Sequence, residues 1–227
     1  MRQLLLSILA LPFLASAQTL VLEGEEGPGK GKHVVIVTGD EEYRSEETGP
    51  MLAKILSQYH GFKATVCFAI DPKTGYINPE LNTNIPGLAA LKTADVMILA
   101  TRFRDLPEPQ LQHILDFINA GKPVIGLRTA THAFKTKSDL GGIDWNNFGL
   151  TFLGEKWAGH HGKHKVEGTR GIIVQKHSRH PVLRGVDDMF FAPSDVYGTG
   201  NLDEANATIL VRGAVIESLD PNSNYVQ

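Results

Sequence analysis

Short apolar runs alternate with stripes of helical periodicity through the first half of the chain. Four runs, bounded by turn-forming residues, are typical of buried parallel strands and cover residues 33–38, 64–70, 96–101 and 124–127. Two stripes predict amphipathic helices. The first runs through Met51, Leu52, Ile55, Leu56 and Tyr59, and the second through Leu111, Ile114, Leu115 and Ile118. Because alternating strands and helices are joined by right-handed crossovers, we expect an α/β fold with a parallel sheet and helices on both faces.

The pattern becomes irregular after residue 134, where glycine, histidine and aromatic residues are interspersed. Strand-like runs return only at residues 171–175 and 208–211. We therefore predict a single domain over residues 33–216, with a second half elaborated by long loops. Residues 18–32 are rich in glycine and charge and are expected to form a linker, and residues 217–227 form a polar tail.

The first residues predict a secretory signal peptide. Arg2 provides a positive start, residues 4–14 an apolar run, and residues 15–17 a small-residue cleavage site before Gln18. The apolar run is shorter than the roughly 20 residues that span a bilayer. We therefore expect residues 1–17 to be removed and the protein to be periplasmic or secreted, without a membrane span.

Composition narrows the classes of partner. The 227 residues are 42% hydrophobic and 21% charged, which is ordinary for a globular protein, and the formal net charge is −3. So small a net charge provides no basic footprint for nucleic acid and no polybasic lipid-binding segment. The single cysteine, Cys67, has no partner for an intrachain disulfide and lies inside a predicted strand, where we expect a packing group. A small molecule is the expected partner.

Three loops at the carboxyl ends of predicted strands carry much of the candidate chemistry. In an open parallel sheet, ligands bind at this edge where the winding reverses, and a flavodoxin-like order places the first and third predicted strands there. The loops read GDEEYRSEE over residues 39–47, TRFRDL over 101–106 and RTATHAF over 128–134. We expect them to converge on one cleft.

The first loop argues against a phosphate ligand. Asp40, Glu41 and Glu42 would repel an anion, and the chain contains neither a GxGxxG fingerprint nor a P-loop. Flavin, dinucleotide and nucleoside-triphosphate roles are therefore disfavoured. Acidic groups beside Tyr43 suit a hydroxyl-rich or cationic ligand, or a metal. The alternative is a solvated loop whose acids pair with nearby arginines, namely Arg44, Arg102 or Arg104.

The turn after the fourth predicted strand occupies the position of a nucleophile elbow but holds no cysteine. Arg128 opens this turn, and Thr129 or Thr131 beside His132 could form a nucleophile–base pair. A thiol-dependent amidotransferase mechanism is therefore disfavoured.

Histidines form a second candidate cluster. Three of the nine, His160, His161 and His164, lie in the segment WAGHHGKH. Imidazoles at this spacing can ligate a divalent metal or move protons near neutral pH. The flanking glycines favour a loop, and an exposed histidine-rich loop without a ligand is the alternative.

Aromatic and acidic residues could complete such a site. Trp157, in the same segment, could stack on a sugar ring or lie in the core, and the same holds for Trp145. Asp195 and Tyr197 would face the same side of an extended segment, where they offer a carboxylate and a hydroxyl together.

Seven motifs occur in order from about residue 33 to residue 197: GDEEYRSEE, NIPGLAAL, TRFRDLP, GKPVIGLRTATHAF, HHGKH, HPVLRGV and DVYG. Together they resemble the trehalose-utilization (ThuA-like) family, most closely its exported branch. The resemblance implies a flavodoxin-like sheet of the class I glutamine amidotransferase superfamily without its catalytic cysteine, and a role in carbohydrate metabolism on oxidised (keto) sugars or glycosides. The family's chain usually continues into another strand and helix, so we expect this sequence, which stops soon after Ile216, to be a shortened or truncated form.

Two functional hypotheses follow. In the first, the protein is an exported enzyme acting on sugars, glycosides or keto-sugars through a histidine–carboxylate site. Its candidate catalytic residues are His132, His161, Glu41, Arg128 and Asp195. Its candidate ligand-binding residues are Glu42, Tyr43, Arg102, Arg104, Trp157 and Tyr197. A divalent metal, the one cofactor that the residues suggest, would be held by His160 and His164. In the second hypothesis, the protein binds carbohydrate in the same cleft without catalysis, since no complete catalytic motif is visible.

Overall fold

A five-stranded, mostly parallel sheet organises the first half of the protein, which we describe from a computed structural model covering residues 19–200, 202–203 and 205–226. In chain order the strands are β1 (Thr19–Leu22), β2 (His33–Gly39), β3 (Lys63–Cys67), β4 (Val96–Thr101) and β5 (Val124–Gly126). They lie side by side in the order β1-β3-β2-β4-β5, and all neighbours except β1 and β3 run parallel. The winding of the chain therefore reverses between β2 and β4.

Strand β2 shows why the sheet lies in the centre of the first half. Every residue of β2 is buried, so both of its faces are covered. Val35 and Val37 pack into the core on one side of the sheet, and Val34 and Ile36 pack into the core on the other. The predicted mixed α/β class and the four predicted parallel strands are confirmed, although β3 ends at Cys67 rather than at residue 70.

Residues 18–32 are not wholly a linker as the sequence predicted, because Thr19–Leu22 forms β1. It pairs antiparallel with β3, with Leu20 opposite Val66 and Leu22 opposite Ala64. Leu20 and Leu22 pack against the core, and this burial is what draws the segment onto the sheet edge. The predicted signal peptide, residues 1–17, lies outside the described residues. Within them, no helix is both long enough and apolar enough to cross a bilayer.

Helix α1 (Ser45–His60) packs on one face of the sheet through small residues. Its buried face includes Gly49, Ala53 and Ser57, which recur at four-residue spacing. A Cβ at Gly49 would lie 2.6 Å from Cγ2 of Thr38 in β2. The helix therefore approaches the sheet about as closely as its backbone permits.

This close approach changes which side chains of α1 face the core. Leu52 and Leu56 of the predicted stripe are half-buried and pack against the sheet. Met51, Ile55 and Tyr59 are exposed, so this part of the prediction was wrong. The small residues occupy the centre of the interface, and the larger side chains lie at its margin or in solvent.

Helix α2 (Glu108–Asn119) and a 3-10 segment (Pro86–Thr93) cover the opposite face. The predicted stripe of α2 is confirmed, since its members are buried or half-buried against the core: Leu111, Ile114, Leu115 and Ile118. Cys67 of β3 lies under the 3-10 segment, where its Sγ is 3.3 Å from the carbonyl oxygen of Gly87. Burial raises the pKa of the Cys67 thiol to about 12, so this cysteine is a packing group rather than a nucleophile.

Among the residues that the structure describes, five short strands give the second half more regular structure than the predicted long loops. They are β6 (Trp157–His161), β7 (Gly168–Ile173), β8 (Met189–Ala192), β9 (Val196–Thr199) and β10 (Val211–Ile216). Strands β10, β7 and β8 form an antiparallel sheet in that order, and β6 pairs antiparallel with β9.

Three local predictions in this half differ from the structure. The strand expected at residues 171–175 begins three residues earlier as β7, and the strand expected at 208–211 begins at Val211 as β10. The first part of WAGHHGKH, expected to be a loop, forms β6. Strands β6 and β10 are largely half-buried or exposed, whereas β7 is mostly buried. Distant partners rather than a local apolar run stabilise all three strands.

Trp145 belongs to the core rather than to a ligand site. It is fully buried, its ring centroid lies 5.2 Å from that of Phe134 and 6.1 Å from that of Phe148, and its indole Nε1 donates to the carbonyl oxygen of Leu140 at 3.1 Å. Of the two roles that the sequence left open for Trp145, packing is the one it has.

Candidate functional site

The loops after β2, β4 and β5 meet at the carboxyl edge of the sheet. The backbone N–H of Arg102 donates to the carbonyl oxygen of Gly39 at 2.9 Å, which links the first loop to the second. The N–H of Phe103 donates to the carbonyl oxygen of His132 at 3.0 Å, which links the second loop to the third. The structure therefore brings together the three segments that the sequence singled out.

Each of these loops contains one non-glycine residue in the left-handed region of backbone space. The φ angles are 51° at Arg44, 50° at Phe103 and 38° at Arg128. A bulky residue adopts such an angle only when its surroundings hold it there, and such strain is concentrated at functional sites. Three such residues, one in each of the converging loops, indicate that tertiary contacts hold the loops in place at this edge of the sheet.

Asp40 anchors the first loop. Its Oδ1 accepts hydrogen bonds from the backbone N–H groups of Glu42 at 3.0 Å and Tyr43 at 3.2 Å, and its Oδ2 accepts from the Thr129 hydroxyl at 2.6 Å. Burial raises the pKa of Asp40 above its ordinary value. Thr129 is fully buried and its hydroxyl is committed to Asp40, which leaves it unsuited to act as a nucleophile. Asp40 and Thr129 are thus positioning residues, and sequence reasoning did not recognise their pairing.

Glu41 holds two arginines of the second loop. It pairs with Arg102 through one carboxylate oxygen, and its Oε2 accepts from Nη2 of Arg104 at 2.7 Å. Arg104 is buried and also donates to the carbonyl oxygens of Pro79 and Leu81. The predicted catalytic Glu41 and the predicted ligand-binding Arg104 are therefore both engaged in holding the loops together.

The carboxylate of Asp195, just before β9, gathers three groups from elsewhere in the chain. Its side chain is 0% exposed. Its Oδ1 lies 3.2 Å from Nη2 of Arg128 and 2.8 Å from Nδ1 of His164, and its Oδ2 lies 2.5 Å from Nδ1 of His160. Burial alone would raise the pKa of Asp195, but hydrogen bonds from His164 and His160 and the charge of Arg128 outweigh it, so this pKa lies below its ordinary value.

The second carboxylate of this cluster belongs to Glu42. Its Oε1 is 3.2 Å from Nε2 of His164, and its Oε2 is 3.2 Å from Nε of Arg102. His164 therefore bridges Glu42 of the first loop and Asp195 of the second half. Among the described residues, His160, His164 and Asp195 can each offer one ligand atom within 4.8 Å of the others, a set that could hold a metal ion.

Aromatic rings surround these charges. The guanidinium of Arg128 lies between two tyrosine rings, 4.5 Å from the centroid of Tyr43 and 4.1 Å from that of Tyr197. Its Nη1 also donates to the backbone oxygen of Asp195 at 2.9 Å. The planar cation is thereby fixed between ring faces and a buried carboxylate, which a lysine could not reproduce.

His132 occupies an aromatic pocket next to the cluster. Its ring centroid lies 4.9 Å from that of Phe103, 4.8 Å from that of Trp157 and 5.8 Å from that of Tyr197. Burial, followed by the nearby charge of Arg102, lowers the pKa of His132 to about 4. The imidazole is therefore neutral near pH 7 and can offer one donor and one acceptor.

The hydroxyl of Thr131 lies 3.2 Å from Nδ1 of His132, so of the two threonines only Thr131 retains the contact that a nucleophile–base pair requires. Phe103 forms part of the same pocket, although it was not among the predicted site residues. A large aromatic residue between two arginines, in a loop at the carboxyl end of a strand, was the available signal.

His161, predicted as a catalytic residue, does not join this cluster. It follows His160 in β6, where successive side chains point to opposite faces, and it is exposed. It lines a groove of about 800 Å³ between β9 and the segment leading into β10, with Leu153 and Val196 among its neighbours. Tyr197 also borders this groove, but the charged cluster does not lie in it.

Comparison with known proteins adds one finding on the fold. No protein-family model matches the chain, and no curated protein does. Among solved structures, the chain is similar to a protein from Bacteroides uniformis described as ThuA-like, with a TM-score of 0.53 and 16% identity, over 84% of this chain and 70% of that one. The two proteins share a fold. At this identity the similarity concerns architecture alone, since one fold can carry many functions.

Proposed function

We propose that this protein is an exported protein of carbohydrate metabolism, and that it is an enzyme acting on sugars, glycosides or keto-sugars through a histidine–carboxylate site. Its motifs resemble the ThuA-like family, and the protein with which it shares a fold is described as ThuA-like. The observation that carries the proposal is the buried carboxylate of Asp195, which contacts Arg128, His160 and His164 beside a group of aromatic rings.

The aromatic rings support a sugar as the ligand. Sugar rings present C–H faces that stack on aromatic side chains, while their hydroxyl groups need precisely placed polar partners. The ring centroids of Trp157 and Tyr197 lie 6.0 Å apart, with His132 and His160 against both. The indole N–H of Trp157 is buried and has no acceptor among the residues that the structure describes. A hydroxyl group of a bound sugar would satisfy it.

The charged residues would have different roles in such a site. His160 and His164, with side chains 33% and 27% exposed, are the groups that a substrate would meet. Asp195 is a positioning residue, since it holds both imidazoles from a fully buried position. Arg128 would orient a substrate oxygen, and the neutral ring of His132 would hydrogen-bond to a hydroxyl group without adding charge.

Turnover of a panel of glycosides and their keto derivatives tests the enzymatic proposal. The purified full-length protein should convert at least one member. His160→Asn should lower kcat/KM for it by about 10²–10⁴-fold, the usual contribution of a general acid–base group. Asp195→Asn should also lower kcat/KM, because both imidazoles lose the carboxylate that positions them. His60→Asn, an exposed change at the far end of α1, is the matched control and should retain the wild-type rate. If the folded protein converts no member of the panel, the enzymatic part of the proposal is wrong.

A non-catalytic carbohydrate-binding protein is the second candidate. The observation that favours it is the pairing of the acids: both oxygens of Glu41 are held by arginines, and Asp195 already contacts three partners. Polar side chains that are already held in place by one another favour selective binding of a ligand. Saturable binding of a sugar without turnover by the same preparation would decide for this candidate.

The proposal of export rests on the amino-terminal pattern of a positive start, an apolar run and a small-residue cleavage site. A periplasmic or secreted location would also suit a protein that meets sugars outside the cytoplasm.

A further inference from the structure

His164 is placed so that both of its ring nitrogens face carboxylate oxygens. Nδ1 lies 2.8 Å from Oδ1 of Asp195, and Nε2 lies 3.2 Å from Oε1 of Glu42. A neutral imidazole carries a single N–H, so one nitrogen would turn a lone pair toward an acceptor. A cation bound beside that nitrogen and the carboxylate would relieve the contact.

His160 contacts the other oxygen of the same carboxylate through one of its ring nitrogens. Its Nδ1 lies 2.5 Å from Oδ2 of Asp195, and the two imidazole centroids are 4.5 Å apart. Asp195 is fully buried, whereas both histidines are partly exposed. Two partly exposed imidazoles and one buried carboxylate thus present donor atoms within 4.8 Å of one another.

We propose that His160, His164 and Asp195 bind a divalent transition metal of the first row, with the histidines as Nδ1 ligands. Two imidazoles with one carboxylate form a donor set that suits such metals, and three protein ligands leave coordination positions open for water or a substrate oxygen. The remaining nitrogen of His164, Nε2, would then keep its hydrogen and direct it toward Oε1 of Glu42, 3.2 Å away, which fixes the tautomer that presents Nδ1 to the metal.

The surroundings resemble the outer shell of a metal site. Metal-bound histidines usually donate their second N–H to a carboxylate, as His164 would to Glu42, and metal-bound carboxylates are themselves hydrogen-bonded, as Asp195 is by Arg128. The positive charge of Arg128 would repel a metal ion. The negative charge of the Glu42 carboxylate would offset this repulsion. The metal would belong to the proposed sugar site and so rests on the proposed function for its role, but its binding can be measured without any sugar.

Isothermal titration with Zn²⁺ and with Co²⁺ tests the inference on the untagged full-length protein after treatment with a chelator. The wild type should bind one equivalent of each metal. His160→Ala and His164→Ala should each weaken binding by more than about 100-fold, and Glu42→Gln by about 10-fold, as expected for an outer-shell partner. Mg²⁺ should compete weakly, since it prefers oxygen ligands.

His161→Ala is the matched control, because His161 is the neighbour of His160 in β6 but faces away from Asp195. It should bind Zn²⁺ as tightly as the wild type does. Far-UV circular dichroism checks the folding of every variant, and the partly exposed Glu42→Gln change provides a mild test if either alanine variant unfolds.

Several results would overturn the inference. These are an absence of stoichiometric Zn²⁺ binding, equal loss of binding in His161→Ala and His160→Ala, or Mg²⁺ binding as tight as that of Zn²⁺. A protein that binds Zn²⁺ as predicted but neither binds nor converts any sugar would refute the proposed function and leave the metal site standing.

Discussion

At the scale of single residues, the pKa of His132 is the property that depends most directly on the interior of the site. Three aromatic rings surround it, and burial together with the charge of Arg102 lowers its pKa to about 4, whereas the ordinary value is 6.5. Between these two pH values the unfolded chain binds a proton at this ring and the folded chain does not. The contribution of His132 to stability is therefore present near neutral pH and is lost as the pH falls from 6.5 toward 4.

This linkage predicts a specific effect of His132→Gln. Lowering the pH from 7 to 4.5 should reduce the free energy of unfolding of the wild type by about 1–2 kcal/mol more than that of the variant, a figure that allows for solvent screening of a half-buried ring. Urea unfolding at the two pH values measures the difference. His60→Gln, at an exposed position, should keep the wild-type pH dependence, and equal profiles for wild type and His132→Gln would contradict the prediction.

At the scale of elements, the contact between α1 and β2 depends on the absence of a side chain at Gly49. A Cβ there would lie 2.6 Å from Cγ2 of Thr38 and 3.1 Å from Cγ1 of Val66. Thr38 has little freedom to move away, because its hydroxyl donates to the carbonyl oxygen of Cys67 at 2.9 Å. Packing and helix propensity therefore oppose each other at this position.

Gly49→Ala should lower the free energy of unfolding by about 1–3 kcal/mol, because overpacking against a fixed neighbour outweighs the gain of roughly 1 kcal/mol that alanine brings to a helix. Urea unfolding at neutral pH measures the change. Lys54→Ala, an exposed substitution in the same helix, should stay within about 0.5 kcal/mol of the wild type. A stabilised Gly49→Ala variant would mean that α1 lies farther from the sheet than described.

The elements also explain what the sequence could and could not predict. Strands β2 to β4 and helix α2 were predictable because burial on both faces, or on one helical stripe, leaves a local apolar pattern. Strand β5 was predicted from its apolar run, although its Ile125 is exposed. Strand β6 was not, since Trp157 pairs with Thr199 and His160 with Tyr197 across a long separation, through a glycine-containing strand with a register shift. The three loops of the site were predictable because they follow the carboxyl ends of predicted strands. Which of His160 and His161 faces Asp195 was not predictable, because it depends on β6, a strand without a local sequence signal.

At the scale of the whole molecule, export predicts where the mature chain begins. Cleavage after the small-residue segment 15–17 would leave Gln18 as the first residue, one position before β1. Intact-mass measurement of protein recovered from the periplasm or the medium should therefore give the mass of residues 18–227. A mass that still includes residues 1–17 in exported protein would contradict the proposed cleavage.

The central claim, that a sugar binds among the aromatic rings and the cluster around Asp195, is tested most directly by intrinsic fluorescence. The chain has two tryptophans, of which Trp145 is fully buried in the core and Trp157 lies against His132, His160 and Tyr197. Titration with the panel of glycosides and keto-sugars should change the emission saturably for at least one member, and Trp157→Phe should abolish that change. No response to any member of the panel, or a full response from Trp157→Phe, would contradict the claim.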